Sequence, residues 1–322
     1  MTLLSVDRLS IAFGTATTPL PIVREVSFDL ERGGTLGIVG ESGSGKSMTA
    51  LALIGLLPEA ARVGGRILFD GTDLACASEA VWRPLRGWRI GFVFQEPMTS
   101  LNPVHTIGHQ IAESLILHDL MDARSARAEA LRLLDRVRLP HAAERLGAYP
   151  HELSGGQRQR VMIAIAMACN PALLIADEPT SALDVTVQHQ IVALLKELQT
   201  ETGMGLIVIS HDLGVIADLA DRSIVLYGGR IMEEGPTRGL FATRAHPYTR
   251  GLIAARPGRH LAKGARLPAI PGNVPSAADF APGCPFFGRC GIGRDDVCRD
   301  VPPPPIAIGQ TVARCYFARA PS

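Results

Sequence analysis

A glycine-rich turn between an apolar run and a helix start constrains this chain more than any other feature. Gly40-Glu41-Ser42-Gly43-Ser44-Gly45-Lys46-Ser47 reads G-x-x-x-x-G-K-S, the spacing of a phosphate-binding loop. Thr35-Leu36-Gly37-Ile38-Val39 before it reads as a buried strand, and Met48-Thr49-Ala50-Leu51-Ala52-Leu53 after it as the start of a helix. In that context, backbone N–H groups of the turn and the helix N-terminus can surround phosphate oxygens. Lys46 would reach the terminal phosphates and the Ser47 hydroxyl would ligate Mg²⁺. A flexible Gly/Ser turn is the plain alternative, and its position between strand and helix argues against it.

Two further segments bear on the same chemistry. Leu173-Leu174-Ile175-Ala176-Asp177-Glu178 is an apolar run ending in adjacent acids. Neighbouring side chains on a strand face opposite ways, so Asp177 would hold Mg²⁺ while Glu178 polarises the attacking water. Leu153-Ser154-Gly155-Gly156-Gln157 precedes a stretch of helix formers, Arg158 to Met167. Ser154 would cap that helix, and Gly155 and Gly156 would let an anion approach its positive end.

Together these segments resemble the ATP-binding cassette (ABC) ATPases. Leu153–Gln157 matches that family's signature in every position, and the other family marks follow in order. The resemblance implies an α/β P-loop fold, with a RecA-like core and a helical subdomain at about 96–157 inside an ATPase domain of residues 1–245. It implies nucleotide contacts from Phe13, Gly40, Ser42, Gly43, Ser44, Gly45, Lys46, Ser47 and Thr49. Phe13, the adenine-stacking candidate, could equally be a core residue. Mg²⁺ would be held by Ser47, Gln95 and Asp177. Glu178, His211 and Gln95 would be the catalytic set, with Asp184 at the interface between two cassettes. In the family, each ATP lies between the phosphate loop of one cassette and the signature of another. Ser154, Gly155, Gly156 and Gln157 would then serve a partner's nucleotide.

Composition removes several rivals. Lys plus Arg number 32 against 31 acids, so no global field points to nucleic acid. The longest clean apolar run, Val161–Cys169, is nine residues, far below the roughly 20 that cross a bilayer. The first residues lack a basic region followed by an apolar core, so no signal peptide is expected. Any membrane role must come through partners.

Residues 246–322 are expected to form a separate proline- and cysteine-rich extension. Pro268, Pro271, Pro275, Pro282, Pro285 and Pro302–Pro305 limit regular structure. Cys284, Cys290, Cys298 and Cys315 are spaced C-x5-C-x7-C-x16-C, matching neither paired zinc nor usual ferredoxin spacing. From chemistry alone, a metal or cluster site and ordinary free thiols both remain open.

His246-Pro247-Tyr248-Thr249, with Leu252-Ile253 and the stretch from Cys284-Pro285-Phe286 to Arg289-Cys290, is similar to the C-terminal extension of oligopeptide/dipeptide importer ATPases. That resemblance implies a [4Fe–4S] cluster on the four cysteines. It also implies an ATPase subunit on the cytoplasmic face of the membrane, powering peptide import. Its partners would be two transmembrane permease subunits, an extracytoplasmic substrate-binding protein and a second ATPase. The alternatives are an importer of nickel or another small solute and, further off, a soluble ABC ATPase outside transport. One set of motifs and no sustained heptads disfavour the last.

Overall fold

The computed structural model describes residues 1–15, 17–255 and 269–320. Pro268, counted above among the tail's prolines, lies outside them, as do the other residues of 256–268 and the last two of the expected extension. The chain divides into two compact units.

The first unit comprises Met1–Leu3, Leu30–Thr35 and Ala77–Ile209. Its strands Ile90–Val93, Leu173–Asp177 and Gly205–Ser210 run parallel, with Leu173 opposite Ile90 on one side and Gly205 on the other. Every residue of Leu173–Asp177 is buried, as a central strand covered on both faces requires. The helix Val185–Thr202 buries Ile191, Val192, Leu194, Leu195 and Leu198, an apolar stripe at helical spacing.

Three helices of this unit, Ile107–Leu117, Ala123–Arg136 and Gly155–Met167, pack on one another. Asp122 caps the second by accepting from Ser125 N at 2.7 Å. Its buried residues are Ala126, Ala130, Leu133 and Leu134. The apolar repeat in the sequence runs on to Arg138, yet the helix stops at Arg136 because Arg138 turns left-handed, at φ 57°. Gly155–Met167 is buried past its first turn, so only its N-terminal end meets solvent.

The second unit comprises Leu4–Asp29, Leu36–Cys76 and Ser210–Ser322. One sheet is antiparallel, ordered Pro19–Glu31, Thr2–Gly14, Arg62–Phe69, Thr72–Asp73. In the other, Thr35–Val39 lies parallel to Arg222–Tyr227, with Leu36 opposite Arg222 and Val39 opposite Val225. Arg230–Pro236 then pairs antiparallel with Arg222–Tyr227. Beyond it comes a hairpin from the far end of the chain, Thr311–Arg314 paired with Pro305–Ile308. The proline-rich tail therefore contributes two strands beside the phosphate-loop sheet.

Glu233 fastens that addition. It is fully buried, and its carboxylate accepts from Ala245 N at 2.9 Å, His246 N at 2.9 Å and Thr311 Oγ1 at 3.3 Å. A buried carboxylate is tolerable only when its lone pairs are filled in this way. Among the described residues, no helix is long and apolar enough to cross a membrane.

Candidate functional site

The glycine-rich turn leads directly into the helix Lys46–Ala52, and Gly45 caps it at φ 99°. A side chain at Gly45 would be strained there, which explains glycine at this junction. At Gly40 an added Cβ would run into Leu226 O and Ser44 Oγ, so the loop start can carry no side chain. Lys46 is buried, and its Nζ donates to Gly40 O at 2.8 Å and Glu41 O at 3.0 Å. Its charge is thereby held at the mouth of the turn. Ser44 Oγ is buried and finds no hydrogen-bond partner among the described residues. An orphaned buried hydroxyl in this loop fits an incoming phosphate oxygen.

Ser42 and Gly43 are exposed and Ser47 is half-buried. Thr49 is fully buried, and its hydroxyl donates to Gly45 O at 2.9 Å. It therefore braces the loop from below. Phe13 is half-buried near the end of Thr2–Gly14, so part of its ring is free to meet another surface. His211 is exposed and directly follows the strand Gly205–Ser210. Asp212 next to it accepts from Gly214 N at 2.6 Å, which fixes the turn into the helix Leu213–Leu219.

In the first unit the acids take different backbones. Asp177 ends its strand and is buried, while Glu178 lies beyond it in a left-handed conformation at φ 49°. Strand alternation therefore does not aim Glu178; the backbone reversal does. Such a conformation in a non-glycine residue costs on the order of 1 kcal/mol or more. Glu178 N donates to Ile209 O at 2.9 Å. Gln95 is exposed and donates from Nε2 to Glu178 Oε2 at 3.3 Å, while Ser181 Oγ donates to Gln95 O at 3.1 Å.

Ser154 caps Gly155–Met167 in a reciprocal box. Its hydroxyl accepts from Gln157 N at 3.4 Å, and Gln157 Oε1 accepts from Ser154 N at 2.9 Å. Ser154 and Gly155 are exposed, so this helix end is open to another molecule. A Cβ at Gly156 would meet Val187 Cγ1 at 2.7 Å, so glycine is needed for close packing. Asp184 caps Val185–Thr202 by accepting from Val187 N at 2.9 Å.

All six cysteines are free thiols, and four of them, Cys284, Cys290, Cys298 and Cys315, line one small pocket. Burial pushes the Cys284 thiol up to about 12, and also raises Cys290 and Cys315, with neighbouring thiols adding to each shift. Four thiolates in one apolar pocket repel one another unless a cation neutralises them. Among the described residues, however, no group of three or more His, Cys, Asp or Glu side chains is placed to hold a metal ion.

Residue-by-residue reading misses a set of contacts that reach the phosphate loop from the tail. Arg289 makes a two-pronged ion pair with Glu41, Nη1–Oε2 at 2.6 Å and Nη2–Oε1 at 3.1 Å. Tyr248 Oη accepts from Glu41 N at 2.8 Å. A glutamate inside the turn is the signal that could have prompted a search for its partner.

Comparison with known proteins gives a consistent result. Residues 23–181 match the family model described as ABC transporter, and residues 232–298 the one described as oligopeptide/dipeptide transporter, C-terminal region. The chain is 48% identical over 301 residues to the oligopeptide transport ATP-binding protein OppD of Salmonella typhimurium, covering 94% of this chain and 89% of that protein. OppD of Mycobacterium tuberculosis is also 48% identical, over 295 residues, and the chain spans 48% of its length. Among solved structures, the ATP-binding cassette MJ0796, a dimer in a post-hydrolysis state bound to ADP and Pi, superposes with a TM-score of 0.66. It is 30% identical and covers 73% of this chain and 99% of its own.

Proposed function

Because this chain belongs to the ABC transporter family of ATPases, we propose that it is the ATP-hydrolysing subunit of an importer for di- or oligopeptides. The match of residues 232–298 to the oligopeptide/dipeptide transporter C-terminal region carries the cargo class. The ATPase works at the cytoplasmic face of the membrane on two permease subunits, fed by an extracytoplasmic substrate-binding protein. It pairs with a second ATPase, and the exposed cap at Ser154 and Gly155 supports this.

Each residue then has a task. Gly40, Ser42, Gly43, Ser44, Gly45 and Lys46 cradle the phosphates, and Lys46 exchanges its two carbonyl partners for phosphate oxygens. Ser47, Gln95 and Asp177 hold Mg²⁺, which neutralises charge on the phosphates. Phe13 stacks on adenine. Glu178 takes the proton of the attacking water, oriented by Gln95, and His211 steadies the terminal phosphate. Ser154, Gly155, Gly156 and Gln157, with Asp184 nearby, act on the partner's nucleotide. Thr49 contributes through the loop it braces. Phosphoryl transfer needs little covalent help, so positioning and charge supply most of the acceleration.

Cys284, Cys290, Cys298 and Cys315 ligate a [4Fe–4S] cluster in this proposal. Four thiolates are the number such a cluster would need, and all four cysteines line one pocket. Such a cluster would tie the proline-rich tail together, with no redox step required.

The deciding experiment assembles the chain with its permease subunits and binding protein and measures ATP hydrolysis with and without short peptides. Peptide stimulation that vanishes in Glu178→Gln supports the reading. An ATP-binding assembly indifferent to peptides but stimulated by nickel moves the cargo to a small solute.

A further inference from the structure

Glu41 is held from three sides. Its N–H donates to Tyr248 Oη at 2.8 Å, its carboxylate takes both prongs of Arg289, and its carbonyl accepts from Ser44 N at 3.2 Å and Lys46 Nζ at 3.0 Å. Glu41 is thus bonded directly to both the turn and Lys46. The Arg289 side chain is only 6% exposed. It is anchored at its Nε, which donates to Pro271 O at 2.8 Å, and Nη1 also donates to Tyr227 Oη at 3.2 Å. Its guanidinium also lies over the Tyr227 and Phe286 rings, 5.7 Å and 6.0 Å from their centroids. A planar fork held in this way is a rigid strut, which lysine could not reproduce.

The strut also settles an electrostatic difficulty. A carboxylate inside a loop that receives phosphates would repel them, and a paired guanidinium cancels that repulsion. We propose that Arg289 is a positioning residue for the ATP phosphates, acting through Glu41 to hold the glycine-rich turn and Lys46 in the binding geometry and to neutralise the carboxylate beside them. The tail thereby sets nucleotide affinity from outside the motifs that touch nucleotide. This inference rests on the reading of residues 40–47 as the phosphate site.

The test measures Mg²⁺·ATP binding to the full-length protein with a fluorescent ATP analogue, together with KM and kcat for hydrolysis. If the turn is competent only about a tenth of the time without its strut, Arg289→Met weakens binding about tenfold. KM rises with it and kcat stays within about twofold, because no group acting on the reacting atoms has changed. Adding Glu41→Gln to Arg289→Met removes the stranded carboxylate and recovers part of the affinity. Wild-type binding in Arg289→Met, or additive losses in the double variant, overturns the proposal. Should Arg289→Met not fold, Arg289→Lys serves, with an intermediate loss of about threefold expected for a kept charge and a lost fork; unchanged affinity there overturns it as well. Lys46→Ala separates the two readings. If it still binds ATP like wild type, the phosphate-loop assignment has failed, whatever Arg289 does.

Discussion

Gln95 donates its side-chain amide to Glu178 at 3.3 Å, and Ser181 holds the Gln95 carbonyl at 3.1 Å. The glutamate is thus aimed by a residue from another strand end and by its own left-handed backbone. Glu178→Gln keeps that shape and loses the base. Hydrolysis should fall by about 100-fold or more, the usual cost of removing a general base. Mg²⁺·ATP affinity should stay within a few-fold of wild type. Phosphate release and analogue binding on one preparation check both, and near-normal turnover removes Glu178 from the role.

Lys46→Ala tests the loop from the other side. Without its ammonium, the carbonyls of Gly40 and Glu41 are left facing the phosphates. Nucleotide binding should drop below detection at micromolar concentrations while the folded content, followed by circular dichroism, is kept.

Gly156 tests the signature. Alanine there must displace Val187, because a Cβ would come to 2.7 Å from its Cγ1. Gly156→Ala should depress steady-state hydrolysis, and Val187→Ala in the same chain should recover part of it by making room. Failure of the second change to help would mean the glycine is needed for something other than this packing.

Contiguous elements are legible from residue order alone. Thr35–Val39 is a strand from end to end, and the helix Lys46–Ala52 begins inside the motif that announces it. Glu178 is harder to read, since its orientation comes from a backbone reversal that apolar patterning does not encode. The Arg289–Glu41 pair joins residues 248 apart, and nothing local to either marks the other. The tail strands Pro305–Ile308 and Thr311–Arg314 hide for a different reason. Prolines argue against strands in general, yet Pro305 opens the outermost strand, which lies at the sheet edge.

Cys169 and Cys76 should separate by reactivity. Burial pushes the Cys169 thiol from 9.0 up to about 11, whereas Cys76 is exposed. A thiol whose folded value is raised stays protonated, so at pH 8 a disulfide reagent should label Cys76 quickly and Cys169 slowly. The sign for stability follows. The neutral buried thiol favours the folded state below about pH 9, and that contribution disappears as pH rises toward 11. In denaturant unfolding, wild type should therefore lose stability relative to Cys169→Ala as pH rises from 9 toward 11.

Glu233→Ala should lower stability by about 2 kcal/mol or more, since it strands buried donors. Those donors are Ala245 N and His246 N. Urea unfolding measures the loss, and a change under about 0.5 kcal/mol, the range of ordinary surface substitutions, contradicts the role.

Pairing of Thr311–Arg314 with Arg230–Pro236 has a practical corollary for anyone who cuts this chain. A fragment ending near residue 245 keeps every nucleotide motif but bares the main-chain groups of an edge strand. It also leaves Glu41 without Arg289 and Tyr248. Such a fragment should be sticky and bind ATP poorly, and its weakness would say little about the intact enzyme. The smallest piece expected to behave as an ATPase is therefore longer than its motifs, because Tyr248 and Arg289, which hold Glu41, lie beyond them.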